Sequence, residues 1–194
     1  MKWTRLAAAN GADADYFLNS VTMQATAYTL DENTPATSGA RHVTATTATN
    51  GGADTLGDLV ITGTDLSGQT ISETITLSAG ATVTGTKWFR SVTSAVTADW
   101  VTDGTDDDIT IGYAEPICVV DGPGRLEAIV VNTTAAATVV VADATGTIAT
   151  LKASIAEGHY AYGIDVMDLT IDLNGASDVT VIHSPSQPKS YPLA

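Results

Sequence analysis

The sequence predicts an all-β protein of two antiparallel β-sandwich or jelly-roll-like domains. Three observations carry this. Thr, Val and Ile dominate short runs in which apolar and hydroxyl side chains alternate, the period-two pattern of a half-buried strand. Gly, Asn, Asp and Ser separate these runs about every ten residues, a spacing suited to sandwiches and barrels. Helical periodicity is almost absent.

Taken in order, residues 1 to 36 read as an N-terminal arm or edge strand. Within them SVTMQATAYTL, 20 to 30, alternates like a strand, and DENTP stops it because Pro35 cannot donate to a ladder. A first β domain spans 37 to 115, with strands in RHVTATTA, LGDLVITGTD, TISETITL, TVTGTKWFRSVTSAV and DDITIGYA. LSGQ, 66 to 69, closes a hairpin in which Gly68 supplies the positive φ of a tight turn. TNGGADTLG and WVTDGTDDD form longer polar loops.

Pro116 and the DGPG turn at 121 to 124 punctuate a second start. A second β-sandwich domain follows over 116 to 184, with strands in GRLEAIVVN, AATVVVADA, TIATLKASI, HYAYGID, MDLTIDLN and SDVTVIHS. The proline-rich remainder, 185 to 194, forms an extended tail.

With 194 residues, each domain can bury its own core without a disulfide scaffold. The single cysteine, Cys118 in PICVV, has no intrachain partner and reads as a small buried hydrophobe. Eight basic residues against 22 acidic ones give a formal charge of -14, which repels nucleic-acid phosphates and anionic membranes. The opening LAAA run is too short for a signal-peptide core, and no stretch has the roughly 20 apolar residues of a membrane span. Synthesis in the cytoplasm is therefore expected.

Glu73 interrupts TISETITL: counting by twos from Ile71 puts its carboxylate on the apolar face, where it needs a partner. Lys87 and Arg90 in KWFR, with Arg41 and His42 in the preceding strand, are the candidates for a structural ion pair. No second carboxylate at a defined separation supports glycoside chemistry. DGTDDD gathers Asp103, Asp106, Asp107 and Asp108 and reads as a solvated acidic loop, with weak calcium binding as the alternative, because its spacing is not that of an EF-hand. His42, His159 and His183 lack metal-ligand spacing, and no G-x-S-x-G elbow or phosphate-cradling glycine loop occurs. No cofactor and no catalytic group is expected. Trp88 and Phe89 are adjacent, so one enters the core and the other meets solvent or a partner. Trp88, Trp100, Tyr160 and Tyr162 are the candidates for an interface or a sugar-stacking platform.

The run from HVTATTATNGGADTLGDLVITGTDLSGQTISETITL to ITIGY resembles the small all-β structural proteins encoded among the head and neck genes of tailed bacteriophages. PGRLEAIVVNTTAAATVVVADATGTIATLKASIAEG, with LTIDLNGASDVTVIHS, is similar to a β-sandwich module that recurs in phage virion proteins. What the resemblance implies is a virion protein, most of all a capsid decoration protein, that contacts the major capsid protein or another virion protein and acts as a homo-oligomer. It brings no catalytic residues. A threonine-rich, lysine-poor surface and 44% hydrophobic content fit such contacts independently. The other readings are a neck, tail or fibre component and a carbohydrate-binding or receptor-binding β-sandwich module.

Overall fold

A computed structural model describes residues 1–6, 12–35, 38–49, 54–102, 104, 107–133, 137–174 and 178–185. Every regular element among them is a strand. The first eight are β1 (Lys2–Leu6), β2 (Asp13–Thr22), β3 (Val43–Ala48), β4 (Asp58–Thr64), β5 (Thr70–Thr76), β6 (Thr82–Thr84), β7 (Ser91–Ala98) and β8 (Asp108–Tyr113). The rest are β9 (Ile117–Cys118), β10 (Pro123–Val131), β11 (Val139–Asp143), β12 (Gly146–Leu151), β13 (Gly158–Met167), β14 (Thr170–Asp172) and β15 (Val179–Pro185). They form four antiparallel sheets in a sandwich-like, all-β fold.

The strands gather into two compact units: a continuous one, Asn10–Pro116, and a split one, Met1–Ala9 with Ile117–Ala194. The continuous unit holds the sheets β2-β8-β3-β6 and β5-β4-β7. Its core takes alternate residues from both: Val43, Ala45, Ile109 and Ile111 from one, Leu59, Ile61, Ile75 and Val92 from the other. The split unit holds β1-β15-β10-β13 and β12-β11-β14-β9. Its core joins Leu6, Ile129, Val179 and Val181 to Val139, Val141 and Ile171. Burying one such aliphatic side chain contributes roughly 1.5–3 kcal/mol, so a strand that inserts even one is held.

The strands from 43 onward lie within the runs that alternate in the sequence, but the N-terminal segment differs from its pattern. No strand continues through 23 to 30. The chain leaves β2 at Thr22, and Tyr28 turns inward to bond the Thr97 hydroxyl at 2.6 Å while its own hydroxyl accepts the Gln24 N–H. The strand lies earlier, at Asp13–Thr22, where adjacent Phe17 and Leu18 are both buried. Register shifts between β2 and β8 permit this and erase the period-two signal. Residues 1 to 36 thus divide between units, β2 pairing with β8 and β1 with β15. TVTGTKWFRSVTSAV is likewise two strands, β6 and β7, separated at 85–90. The tail from 186 lies outside the described residues.

One turn chemistry closes two hairpins. In DLSG the Asp65 Oδ1 accepts the Ser67 N–H at 2.8 Å and its hydroxyl at 2.7 Å. In DATG the Asp143 Oδ1 accepts the same two groups of Thr145, at 2.8 and 2.7 Å. The hydroxyl bond above all holds both carboxyls below the usual aspartate range. Gly68 takes φ +84°, as the tight turn requires.

Two glycines separate backbone strain from crowding. A Cβ on Gly63 would sit 1.8 Å from the Ser91 carbonyl oxygen and 3.0 Å from the Phe89 ring, whereas one on Gly68 would meet nothing within 4 Å. In urea denaturation, Gly63→Ala should therefore cost about 3 kcal/mol. Gly68→Ala should cost only about 1 kcal/mol, from its left-handed backbone.

Candidate functional site

Glu73 sits on β5 opposite Ile61 of β4, on the face that turns Ile75 into the core. Its carboxylate is met by the link between β6 and β7. Oε1 accepts the Thr86 N–H at 2.6 Å and the Thr86 hydroxyl at 2.8 Å, and Oε2 accepts the Lys87 N–H at 3.2 Å. Gly85 allows the approach, since a Cβ there would stand 2.5 Å from Oε2. The Lys87 ammonium goes elsewhere and donates to the Ser72 carbonyl at 2.6 Å. Glu73 and Lys87 therefore meet through a backbone amide. Backbone and hydroxyl donors bonded to an ionised acceptor offset much of its desolvation, which an ion pair would otherwise have to do.

The same link carries Trp88 outward and Phe89 into the core, where Phe89 is 1% exposed. Trp88 stacks on His42, ring centroids 3.6 Å apart, and His42 Nδ1 donates to the Lys87 carbonyl at 3.2 Å. Burial lowers the His42 pKa, against the opposing pull of that carbonyl and of Glu73. Arg41 is buried beneath this, its guanidinium 4.5 Å from the centre of the Tyr113 ring and its backbone paired both ways with Phe89. Arg90 is exposed and gives its backbone N–H to the Thr64 carbonyl. Glu73, Lys87, Trp88 and His42 thus come together. Chemically, the group anchors a loop and leaves a half-buried Trp–His stack at the surface.

The other candidates lie apart from this group in the chain. Trp100 is half-buried against the core of the continuous unit. Tyr160 and Tyr162 pack on the core of the split unit, the Tyr160 hydroxyl donating to the Ala156 carbonyl at 2.8 Å and burial raising the Tyr162 pKa. Asp103 and Asp106 lie outside the described residues. Asp107 is 1% exposed, and Asp108 accepts a 3.4 Å bond from the Thr22 hydroxyl. Among the described residues no group of three or more His, Cys, Asp or Glu could hold a metal ion. Among them, too, no helix is long and apolar enough to cross a membrane. Cys118 is fully buried and its thiol is pushed up to about 12, chiefly by burial.

Sequence reasoning missed Trp3. It lies on edge strand β1 with 67% of its surface exposed, more than any other aromatic side chain among the described residues. The signal was present: in KWTRL, Trp3 and Arg5 occupy one face and Thr4 and Leu6 the other, and Leu6 alone of these is a fully buried anchor.

The outward face of β5-β4-β7 is rich in hydroxyls toward one end, while Val60, Val96 and Ala98 share the other. Thr62 stands opposite Ser72 and Ser94, and Thr64 opposite Thr70 and Ser91. The Thr64 and Ser91 hydroxyls bond at 2.7 Å, and Thr62 donates to Ser72 at 3.3 Å. Asp58 lies at the end with Ala98, and none of the described strand residues on this face is basic, the Lys87 ammonium reaching only the β5 edge at Ser72.

Comparisons with known proteins add no relative: no family model, no curated protein and no solved structure matches the chain.

Glu73→Gln keeps the size of the side chain but removes its charge and sets an NH₂ group against a backbone donor. Chemical denaturation should show a loss of about 1–2 kcal/mol. Acid sensitivity should come in two stages. Burial, then the Lys2 charge, depress the His183 pKa below its ordinary 6.5. The unfolded chain therefore takes up this proton first, and stability falls as pH drops below that value. Asp178 is held below 3.8, mainly by its bond to Arg5 at 2.5 Å, so its contribution is present above 3.8 and lost as pH falls further. His42, whose pKa burial also lowers, adds to the first stage. In denaturation followed across pH, His183→Gln should therefore shrink that stage, His42→Gln with His183→Gln should flatten it, and the second should remain.

Proposed function

We propose that the chain is a non-enzymatic structural protein of a tailed-phage virion, made in the host cytoplasm and working as a homo-oligomeric capsid decoration protein. The hydroxyl face of β5-β4-β7 is the observation that carries this reading. Period two forces such a face opposite a buried one, but it does not force its described strand residues to be rich in short hydroxyl side chains and to include no basic residue. Thr and Ser lose little side-chain entropy on contact and both donate and accept, so a face of them suits a broad protein–protein contact. The resemblance of both halves to phage virion proteins supports the same reading. Mechanistically, the protein adds buried area across seams between capsomers and raises the barrier to opening of the head under internal pressure.

The Trp88–His42 stack at the surface favours a second reading, a carbohydrate-binding or receptor-binding module. A glycan array without binding, together with unchanged tryptophan fluorescence on sugar addition, removes it.

Mass spectrometry of purified particles tests the leading reading. The expected result is a copy number on the scale of the major capsid protein. A few copies per particle would move the chain to a neck, tail or fibre, and absence from particles would overturn the virion assignment.

A further inference from the structure

An exposed tryptophan on an unpaired strand edge is uncommon on a soluble surface, and tryptophan is the side chain most enriched at the centres of protein interfaces. Trp3 is in that position, at the open edge of β1-β15-β10-β13. Lys2 and Arg5 flank it, a concentration of positive charge in a chain of net charge -14. Arg5 bonds Asp178 yet leaves 65% of its side chain exposed. The β1 edge therefore fits an acidic partner with an aromatic or apolar recess.

The chain itself carries an acidic edge that holds an aromatic side chain. Between residues 10 and 116 only Arg41, Lys87 and Arg90 are basic, against fourteen Asp and Glu. Arg41 is buried and Lys87 is turned onto Ser72. β2 is an edge strand of its sheet: Asp31 covers it at Phe17 and Asn19, which leaves the DADY stretch as edge among the described residues. There half-buried Tyr16 lies between exposed Asp15 and the field of Glu32. Burial first, and then the neighbouring Asp15, raise the Asp13 pKa, a crowding of like charge that an arriving cation relieves.

We propose that β1 of one copy docks on the β2 edge of a second copy, Trp3 against Tyr16 and Lys2 with Arg5 against Asp15 and Glu32. This rests on the homo-oligomeric part of the reading above and gives it an interface. The two surfaces differ, so the contact is head-to-tail and repeats into a ring or a chain.

The test is sedimentation velocity of the full chain across protein and salt concentration. Wild type should associate, and less so at high salt. Trp3→Ser should weaken association at least about tenfold, the loss typical of an interface tryptophan, with an unchanged thermal melt because the side chain is largely exposed. Lys2→Glu and Asp15→Lys should each prevent self-association, co-assemble in alternation at one-to-one stoichiometry when mixed because both junctions between unlike chains then pair opposite charges, and restore assembly when combined in one chain. A chain monomeric at every concentration, or association indifferent to Trp3→Ser, would overturn the proposal. Sensitivity to Trp3→Ser without the charge-swap rescue would overturn β2 as the occupant. A monomeric chain still abundant in particles would sink this interface and leave the virion reading standing; the reverse result would do the opposite.

Discussion

A sheet with one apolar face has to bury it, and this chain meets that demand without a helix among its described residues, by laying sheet against sheet twice. In the continuous unit Leu59 and Ile61 share a core with Ile109 and Ile111. In the split unit Ile129 and Val181 share one with Val141 and Ile171. The remaining features depend on this. Because side chains alternate, each buried position places its neighbours on the opposite face, and the hydroxyl surface of Thr62, Thr64 and Ser72 is the geometric complement of Leu59 and Ile61. Glu73 is the exception on the inward-facing series, and the link at 85–87 supplies the donors that make it tolerable.

Open sheets leave edges, whose unpaired amides and carbonyls invite pairing with other chains. Several are covered from within. The Lys87 ammonium caps the Ser72 carbonyl on β5, and Ala27 bridges to Val96 on β7. β13, ten residues long, is bent by an irregularity opposite Leu126 and Ala128, with Gly163 at φ +69°. β1 is different: among the described residues nothing covers its outer edge, and it carries an exposed tryptophan. That contrast sets it apart from ordinary surface.

Most of the fold was legible because half-buried antiparallel strands announce themselves by alternation. VTATTA, DLVITGT and TISETIT each became one strand within a residue or two of the apolar run. Alternation failed where geometry departs from period two. Phe17 and Leu18 are both buried across a register shift, so β2 carried no pattern, while the neat alternation of SVTMQATAYTL belongs to a segment that Tyr28 pins by its hydroxyl. At the site, the need of Glu73 for partners was legible from parity. Their identity was not, because backbone donors have no letter in a sequence: the search looked to the Lys87 and Arg90 side chains, and the bonds came from the amides of Thr86 and Lys87. Trp3 was overlooked for a related reason. Five residues, KWTRL, are too few to show a period, and their partner strand lies at the far end of the chain.

That distance shapes how the molecule is made. β1 pairs with β15, and Arg5 reaches Asp178 across a sequence separation of 173 residues, with the whole continuous unit threaded between the first strand of the split unit and its remaining seven. During synthesis, the continuous unit emerges with both of its sheets complete while β1 still lacks its neighbour. Leu6 and Trp3 then stay in solvent until the last strand leaves the ribosome. Loop closure over such a span costs only a few kcal/mol more than over a short one, because the entropy grows with the logarithm of length. Its weight falls on kinetics, because pairing across so long a separation slows folding, and β1 meets its partner strand only after the continuous unit has been made.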